Sequence, residues 1–594
     1  MKLVVPRIAE PHPSDARLIR LAEFLGIASE FVSVEQLLHA APAERGSRAE
    51  TDCLVVNPWV LKEWTAGVLR EDFPSSLASR FPHLLIHAFT PDPFCDRLVK
   101  AFSGSETASV QRIAGSGKSY EIGPNTRDVC GPFAGLSFGP ANAANDYVFS
   151  MSPAKETVRA AICIGGRPFL AVAKRETAKI LFLGSADTLD IEHEAGDLPL
   201  SEYFSRFVVQ AMALRYIFRE ECWHPLENFA TFTLDDPLLQ PKYGYLNFEL
   251  LLNLMKEFDF ATTVAFIPHN YRRNSRRTVQ MFRESGGRLA ICFHGNDHTA
   301  GELASTDPTR LNTMIRTAEA RMDSHTSATG LPCPKVMVFP QDEFSIEAVK
   351  VLKSRNFCAA VCGTAHPVGG RVNFTLGERV LPAILRHGKF PLFLRKFIGQ
   401  VKKEDVAFNL FFGQPVLVTE HHGLFEHVRS LVDDVLMINS IDPAIQWSDL
   451  GTTVLNSNLH RRTVDGVSHI RAYSRAVRIT NDSEAPRRFL VEWSYSSECP
   501  AIEQVLQDGA PVPSFTVDDS AIRVSVELPS RSTQILSVAY RNDYSSLARL
   551  GFLWDAKAFT RRRLSEARDN YISKNDLAMA VGQTLKRRVL SKIL

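Results

Sequence analysis

The sequence predicts a multidomain α/β chain that ends in a β-sandwich and a helical tail. With 594 residues, the chain is too long for a single hydrophobic core. Up to about residue 445, short apolar segments typical of buried strands alternate with longer segments of helical periodicity. After about residue 450 the segments become short, alternate between apolar and polar residues, and are separated by turn residues, which indicates a β-sandwich.

These patterns divide the chain into four predicted regions. Residues 1–220 form an α/β region, with strand candidates such as "KLVV" and "KILFLGS". Residues 221–445 contain the strands "NFATFTL", "ATTVAFIP", "RLAICFH" and "KVMVFP" separated by helices, the order expected of a parallel sheet or barrel. Residues 446–545 are the predicted sandwich, and residues 546–594 are the predicted basic helical tail.

Composition and charge exclude several classes of protein. The chain is 45% hydrophobic and 23% charged, which is ordinary for a soluble globular protein. A formal net charge of +2 argues against a protein that coats nucleic acid, so no nucleic-acid partner is predicted. No secretory signal is predicted, and no apolar run approaches the ~20 residues of a membrane helix. The ten cysteines form no CxxC pair, and they predict a reduced, cytoplasmic protein.

The tail differs in charge from the rest of the chain. Residues 541–594 contain 12 basic and 5 acidic residues, a net charge of +7. Its last stretch, "TLKRRVLSKIL", has apolar residues near one face of a helix and basic residues around them. Such a helix suits a peripheral contact with an anionic membrane or a protein partner. The alternative is a helix that packs on its own protein and exposes its basic face to solvent.

Two adjacent carboxylates end the strand in "FTLDDPLL". Asp235 and Asp236 repel each other unless a cation or a shared proton offsets the repulsion. Active sites of parallel α/β folds lie at the carboxyl ends of the strands, where this pair is predicted to lie. The pair therefore predicts a cation site, and the alternative is a solvated turn before Pro237.

Two histidines follow another predicted strand in "CFHGNDHTAGE". His294 and His298 are four residues apart, which on a helix would put both imidazoles on one face. Two histidines and one carboxylate form a three-ligand metal site that leaves positions open for water and substrate, as catalytic sites do. The alternative is a pair of hydrogen-bonded structural histidines.

The order of "TLDD" and "HGNDH" resembles the NodB-type polysaccharide deacetylases of the carbohydrate esterase 4 superfamily, over roughly residues 225–440. The resemblance implies a distorted (β/α) barrel and metal-dependent removal of acetyl groups from a sugar. It assigns the general base to Asp235 and the metal ligands to Asp236, His294 and His298. A histidine of "LVTEHHGLF", either His421 or His422, would be the general acid.

Parts of the sequence depart from this family. Its third motif contains an arginine, but "VMVFPQDEFS" offers Pro340 and Gln341 without one, so Gln341 or Asp342 is expected to orient groups instead. Pro340 and Gln341 are predicted to contact substrate. Arg272 and Arg273, in "HNYRRNSRR", are predicted to reach the mouth of the site, and the alternative is a solvated loop.

The N-terminal region has a resemblance of its own. "AKILFLGSAD" and the helix after it resemble the end of a class I amidotransferase-like domain. No Cys–His–Glu site accompanies this stretch, so we predict a scaffold without an active site.

The predicted function is metal-dependent deacetylation of an acetylated sugar of a polysaccharide or its precursor. Zinc is the first expectation for the metal, and histidine and aspartate ligands also suit cobalt or nickel. One alternative is a glycoside hydrolase-like enzyme on a related barrel, which needs two carboxylates facing each other across the sugar. The other alternative is a non-catalytic carbohydrate-binding or assembly protein.

Overall fold

The structure is a computed structural model that describes residues 1–39, 52–115, 117–151, 158–463, 465–542, 544 and 551–572. Its N-terminal part contains a nine-stranded sheet that is parallel at one end and antiparallel at the other. The strands in spatial order are Ala28–Ser33, Lys2–Arg7, Cys53–Val56, His83–Ile86, Ala178–Leu183, Arg167–Arg175, Val158–Ile164, Tyr120–Ile122 and Ser137–Phe138. The main helices around it are Pro13–Phe24, Pro58–Trp64, Phe73–Arg80, Pro93–Ser103 and Val209–Phe218.

The central part is a parallel barrel, as predicted. Its strands, labelled β1 to β8 in chain order, are Phe229–Asp235, Thr262–Phe266, Leu289–His294, Val336–Val338, Ala359–Cys362, Leu392–Leu394, Lys396–Phe397 and Val416–His421. The spatial order is β6-β5-β4-β3-β2-β1-β8-β7, and every neighbouring pair is parallel. Only Arg395 separates β6 from β7, so the two ends of the sheet meet at this residue and the barrel is nearly closed.

Helices on the outside of the barrel form where the sequence has helical periodicity. They are Phe248–Phe258, Arg276–Glu284, Pro308–Thr329, Ile346–Ser354, Leu376–Arg379, Lys403–Phe412, Arg429–Ile441 and Leu450–Asn456. Local sequence fixes their ends: the Asp307 side chain accepts from the amides of Thr309 and Arg310, and Gly330 ends the same helix with a φ of 69°. All seven residues of β1 are buried, because helices cover the outer face of a parallel barrel and side chains fill its interior.

The N-terminal part packs against the barrel through aromatic side chains. Phe133 makes an edge-to-face contact with Phe408 of the helix Lys403–Phe412, with ring centroids 4.9 Å apart. Arg127 donates to Asp442 Oδ1 at 2.6 Å. These contacts join the N-terminal part to the barrel part of the chain.

Two antiparallel-rich sheets follow the barrel and face each other as a sandwich. One contains Asn458–Arg462, Ser468–Ala472, Arg487–Ser494, Ala521–Leu528 and Thr516–Val517, and the other contains Ala476–Asn481, Ser532–Tyr540, Ile502–Gln507 and Ala510–Pro511. Their shared core includes Ile470, Val491, Trp493 and Leu536. The neighbouring strands Ser468–Ala472 and Ala476–Asn481 belong to opposite sheets.

The described part of the tail is an α-helix, Phe552–Ala567, followed by a π-helical turn, Arg568–Ile572. It lies on the barrel and not apart from it: the Trp554 indole donates to Asp297 Oδ2 at 2.6 Å. The stretch "TLKRRVLSKIL" lies outside the described residues. Within the described ranges, every helix is too short or too polar to span a bilayer.

Candidate active site

The aspartate pair occupies the carboxyl end of β1, where the two side chains have different surroundings. Asp235 is buried inside the barrel, where Arg395 donates to it twice, from Nη1 to Oδ1 and from Nη2 to Oδ2, each at 2.8 Å. Asp236 has a φ of 80°, which breaks the strand conformation at this residue. The two neighbouring carboxylates thus interact with different groups: Asp235 binds an arginine, and Asp236 faces the histidines.

His294 and His298 come together on a strand end and the loop after it, which corrects the helical placement expected from their spacing. His294 is the last residue of β3, and His298 lies in the loop with a φ of 54°. Gly295 makes the first turn of this loop with a φ of 62°, and a Cβ there would lie 1.7 Å from Glu302 Oε1. Only glycine fits this turn without displacing Glu302.

The three predicted ligands converge. His294 Nε2 lies 3.6 Å and His298 Nε2 lies 3.4 Å from Asp236 Oδ1. Nδ1 of His294 lies 3.0 Å from the Val338 carbonyl, which can accept its proton and leave Nε2 with a free lone pair. The ligand atoms of all three side chains lie within 4.8 Å of one another. Among the described residues, this is the one such group with metal-binding chemistry.

The protonation states of these side chains suit a divalent cation. Burial lowers the pKa of His298 to about 4, so its imidazole is neutral at pH 7. Burial alone would raise the pKa of Asp236, but the two histidines and Arg562 outweigh it and hold the pKa below its usual value. Asp236 Oδ1 is buried and has no hydrogen-bond partner. An anionic oxygen without a donor, beside the imidazoles of His294 and His298, is the donor set that zinc and similar ions bind.

Glu302 holds the loop that carries His298. Its Oε1 accepts from the amides of Asn296 and His298 at 3.0 and 3.2 Å, and its Oε2 accepts from the amide of Asp297 at 3.0 Å. Burial raises the pKa of this carboxyl to about 7. The sequence alone does not reveal this role of Glu302, because its spacing from His298 does not indicate a loop folded around one carboxylate.

We expect Glu302→Gln to weaken metal binding about 10- to 100-fold, as is usual when a residue that supports a metal ligand is changed. An amide can replace only one of the two oxygens, so its NH₂ group would face a backbone N–H and the loop would shift. Calorimetric titration with zinc measures this change. Glu343→Gln, at an exposed carboxylate nearby, is the matched control, and equal affinities in both variants would contradict the role given to Glu302.

The third motif lacks an arginine, but Arg395, which lies between β6 and β7, contacts Asp235. Besides Asp235, it contacts Asp342 Oδ1 at 3.1 Å and Thr419 Oγ1 at 3.0 Å. Burial alone would raise the pKa of Asp235, but Arg395 and the nearby histidines hold it below its usual value, so Asp235 stays ionised. Sequence reasoning missed Arg395, because it sought an arginine just before Pro340. Asp342, expected to orient groups, contacts Arg395, which also donates to Asp235.

The two candidate acids, His421 and His422, have different surroundings. His421 is the register partner of Asp235, and parallel partners project to the same face, so His421 lies at the barrel mouth. Its hydrogen bond with Glu420 and the nearby aspartates raise its pKa to about 9. His422 instead packs edge-to-face on Tyr243 and lies 3.6 Å from Asp569 Oδ1 of the tail.

The four predicted substrate-binding residues lie in different surroundings. Pro340 is buried against Gly295, which lies in the turn before the candidate metal ligand His298. Gln341 Oε1 accepts from the amide of Gly301 at 3.3 Å. Arg272 is exposed and lies over the Tyr271 ring, 5.0 Å from its centroid. Arg273 is paired with Glu566 of the tail, with one bond of 2.7 Å, so it anchors the tail and is not free for substrate.

Comparisons with solved structures find similar chains. Over 91% of this chain and 98% of the other, it is similar to the crystal structure of Agd3, described as a novel carbohydrate deacetylase, at 10% identity and a TM-score of 0.46. A putative polysaccharide deacetylase from Mycobacterium smegmatis matches at 13% identity, covering 39% of this chain and 91% of that one, with a TM-score of 0.28.

A family 4 carbohydrate esterase from Streptomyces lividans matches at 11% identity, covering 37% of this chain and 90% of that one, with a TM-score of 0.23. No protein-family model and no curated protein matches the sequence. By their descriptions, the first two of these structures are deacetylases and the third is a carbohydrate esterase.

Proposed function

We propose that this protein is a metal-dependent hydrolase that removes acetyl groups from an acetylated carbohydrate. The observation that carries the proposal is the convergence of Asp236, His294 and His298 beside the ionised Asp235. Such a ligand set leaves coordination positions open, as catalytic metal sites do. The substrate is an acetylated sugar of a polysaccharide or its precursor, and zinc is the first candidate for the metal. The cytoplasmic location and the tail's membrane or protein contact stay predictions.

Each side chain of the site has a role in this reaction. A bound divalent ion would polarise the acetyl carbonyl and lower the pKa of a water molecule. Asp235 accepts the proton of the attacking water, and the bidentate contact with Arg395 keeps its carboxylate ionised and oriented for this. His421 donates a proton to the departing amine or alkoxide, for which a pKa of about 9 provides the protonated form at pH 7.

Glycoside hydrolysis is not favoured by these residues. It requires two carboxylates on opposite sides of the scissile bond. Asp235 and Asp236 are neighbours at the end of one strand, and Asp235 is held by Arg395. The experiments below also distinguish an enzyme from a carbohydrate-binding protein without catalysis.

We expect His421→Ala to lower kcat for acetate release about 10²- to 10⁴-fold, the usual contribution of a positioned general acid. Metal affinity should stay unchanged, because His421 is not one of the three converging ligands. Acetate release and zinc titration measure the two quantities, and His427→Ala, at an exposed histidine, is the control. If His422→Ala lowers kcat by the larger factor, the acid assignment moves to His422.

The function is tested with protein stripped by a chelator and reloaded separately with zinc, cobalt or nickel. Acetate release is measured from a panel of N-acetylated and O-acetylated sugars and polymers, and reducing ends are measured in parallel. The proposal predicts acetate release that requires the metal and produces no new reducing ends. New reducing ends without acetate would support the glycosidase alternative, and metal binding without hydrolysis of any substrate would support a binding role.

A further inference from the structure

The tail segment Phe552–Ile572 crosses the mouth of the barrel. Near its start, Trp554 donates to Asp297, the residue before the metal-site histidine His298. The guanidinium of Arg310 lies over the Trp554 ring, 4.8 Å from its centroid. Asp297 is fully buried and also accepts from Arg321 at 2.6 Å, so this end of the segment is joined to the loop after β3.

The other end of the segment is held by the loops after β1 and β8. Tyr243 donates to Asp569 Oδ2 at 2.8 Å, and the amide of Gly244 donates to Asn570 Oδ1 at 2.9 Å. His422, next to the proposed acid, lies 3.6 Å from Asp569. The segment thus bridges opposite sides of the site and forms a wall above the metal ligands.

One cation of this wall, Arg562, is buried without a matching anion. Arg562 is only 7% exposed, and its Nε has no hydrogen-bond partner. Its Nη2 makes one long contact, 3.4 Å to Ser565 Oγ. Across the described ranges, no carboxylate lies within ion-pair distance of Arg562. A buried, unpaired guanidinium is unfavourable unless another group completes its hydrogen bonds.

Arg562 lies within electrostatic range of the metal ligands. Burial has the largest effect on the pKa of Asp236 and of His298, and the positive charge of Arg562 also acts on both. Arg561 and Arg568 of the same segment interact with Asp236 as well. A bound divalent ion would add positive charge to this group of cations, so an anion between them would lower the repulsion.

From this arrangement we infer that Arg562 is a specificity residue, which binds a negatively charged oxygen group of the substrate beside the acetylated position. The inference rests on the proposed function and adds a substrate class to it: acetylated sugars that carry a carboxylate or a phosphate. Both groups present the oxygen pair that a guanidinium binds with two parallel hydrogen bonds.

The test compares Arg562→Ala and Arg562→Lys with wild type in the full chain. Three substrate types separate the sources of charge: an acetylated oligosaccharide containing a uronic acid, N-acetylglucosamine 1-phosphate, and a neutral chitooligosaccharide. Arg562→Ala should lower kcat/KM for one or both anionic substrates about 30-fold or more, while the neutral substrate changes little. Arg562→Lys should restore part of the loss. The control is Arg563→Ala, because Arg563 is exposed and lies over the Phe559 ring.

A binding experiment separates failure of this inference from failure of the proposed function. Calorimetric titration with inorganic phosphate and with glucuronate needs no hydrolysis, and at least one should bind wild type more tightly than Arg562→Ala. If no acetate is released but this difference is present, the proposed function fails and the anion site stands. Equal losses on neutral and anionic substrates, equal anion binding in both proteins, or faster hydrolysis of every substrate by Arg562→Ala would overturn the inference.

Discussion

Asp236→Ala is expected to lose both its bound divalent metal and acetate release. Asp236 supplies the only anionic donor of the three-residue site, and its Oδ1 lies 3.6 Å from His294 Nε2 and 3.4 Å from His298 Nε2. Two neutral imidazoles alone are a weak ligand set for a dication. Since a catalytic metal contributes several kcal/mol to transition-state stabilisation, acetate release should fall about 10³-fold or more. Metal content by mass spectrometry and acetate release measure both effects.

The backbone at this position determines the controls. Asp236 has a φ of 80°, which alanine adopts less readily than asparagine, so Asp236→Ala also strains the turn. Asp236→Asn keeps the turn and removes only the charge, and it should lose metal in the same direction. Asp433→Ala, at an exposed helical aspartate, should keep both metal and activity. Full metal content in Asp236→Asn together with full activity would contradict the ligand assignment.

Arg395→Met is expected to destabilise the barrel and to remove most activity. Both side chains of the Arg395–Asp235 pair are 2–3% exposed. Removal of one partner from a buried pair leaves an uncompensated charge, which typically costs about 3–5 kcal/mol of the free energy of unfolding. Urea titration measures this loss. Arg386→Met, at an exposed arginine paired with Glu378, is the control and should change little.

The pH dependence of this loss has a definite sign. In the wild type the pKa of Asp235 lies below its usual value, so the pair's stabilisation is present above about pH 4 and disappears as the pH falls further. In Arg395→Met, burial raises that pKa, and the destabilisation should grow as the pH rises through it. The double variant Arg395→Met with Asp235→Asn should recover part of the stability. A loss of stability that is independent of pH and unrelieved by Asp235→Asn would contradict the pairing.

The sequence predicted the parts of the site that lie at strand ends. The carboxyl ends of parallel strands meet at one end of a barrel, so Asp235, Asp236 and His294 were expected to meet once their strands were identified. His298 lies near His294 as expected, but in a loop and not on a helix. The spacing of two histidines does not distinguish a helix from a loop that turns at Gly295. The predicted barrel is confirmed by its strand order.

The residues that sequence reasoning missed act across long separations in the chain. Arg395 is 160 positions from Asp235, and nothing in "FLRKF" indicates that this arginine lies between two short strands that close the barrel. The basic amphipathic pattern of the tail predicts a contact with a membrane or a protein partner. Such a pattern does not show which surface covers the apolar face of the helix. Its described part lies across the mouth of the same barrel, where Trp554 and Asp569 anchor it.

Anomalous diffraction at the zinc absorption edge, from crystals of the zinc-loaded protein, would locate the metal ion directly. We expect one ion per chain bonded to the Asp236 carboxylate, His294 and His298, with Asp235 still paired to Arg395. An ion bound at other residues, or no ion at this site at saturating zinc, would show that these three side chains do not form a catalytic metal site.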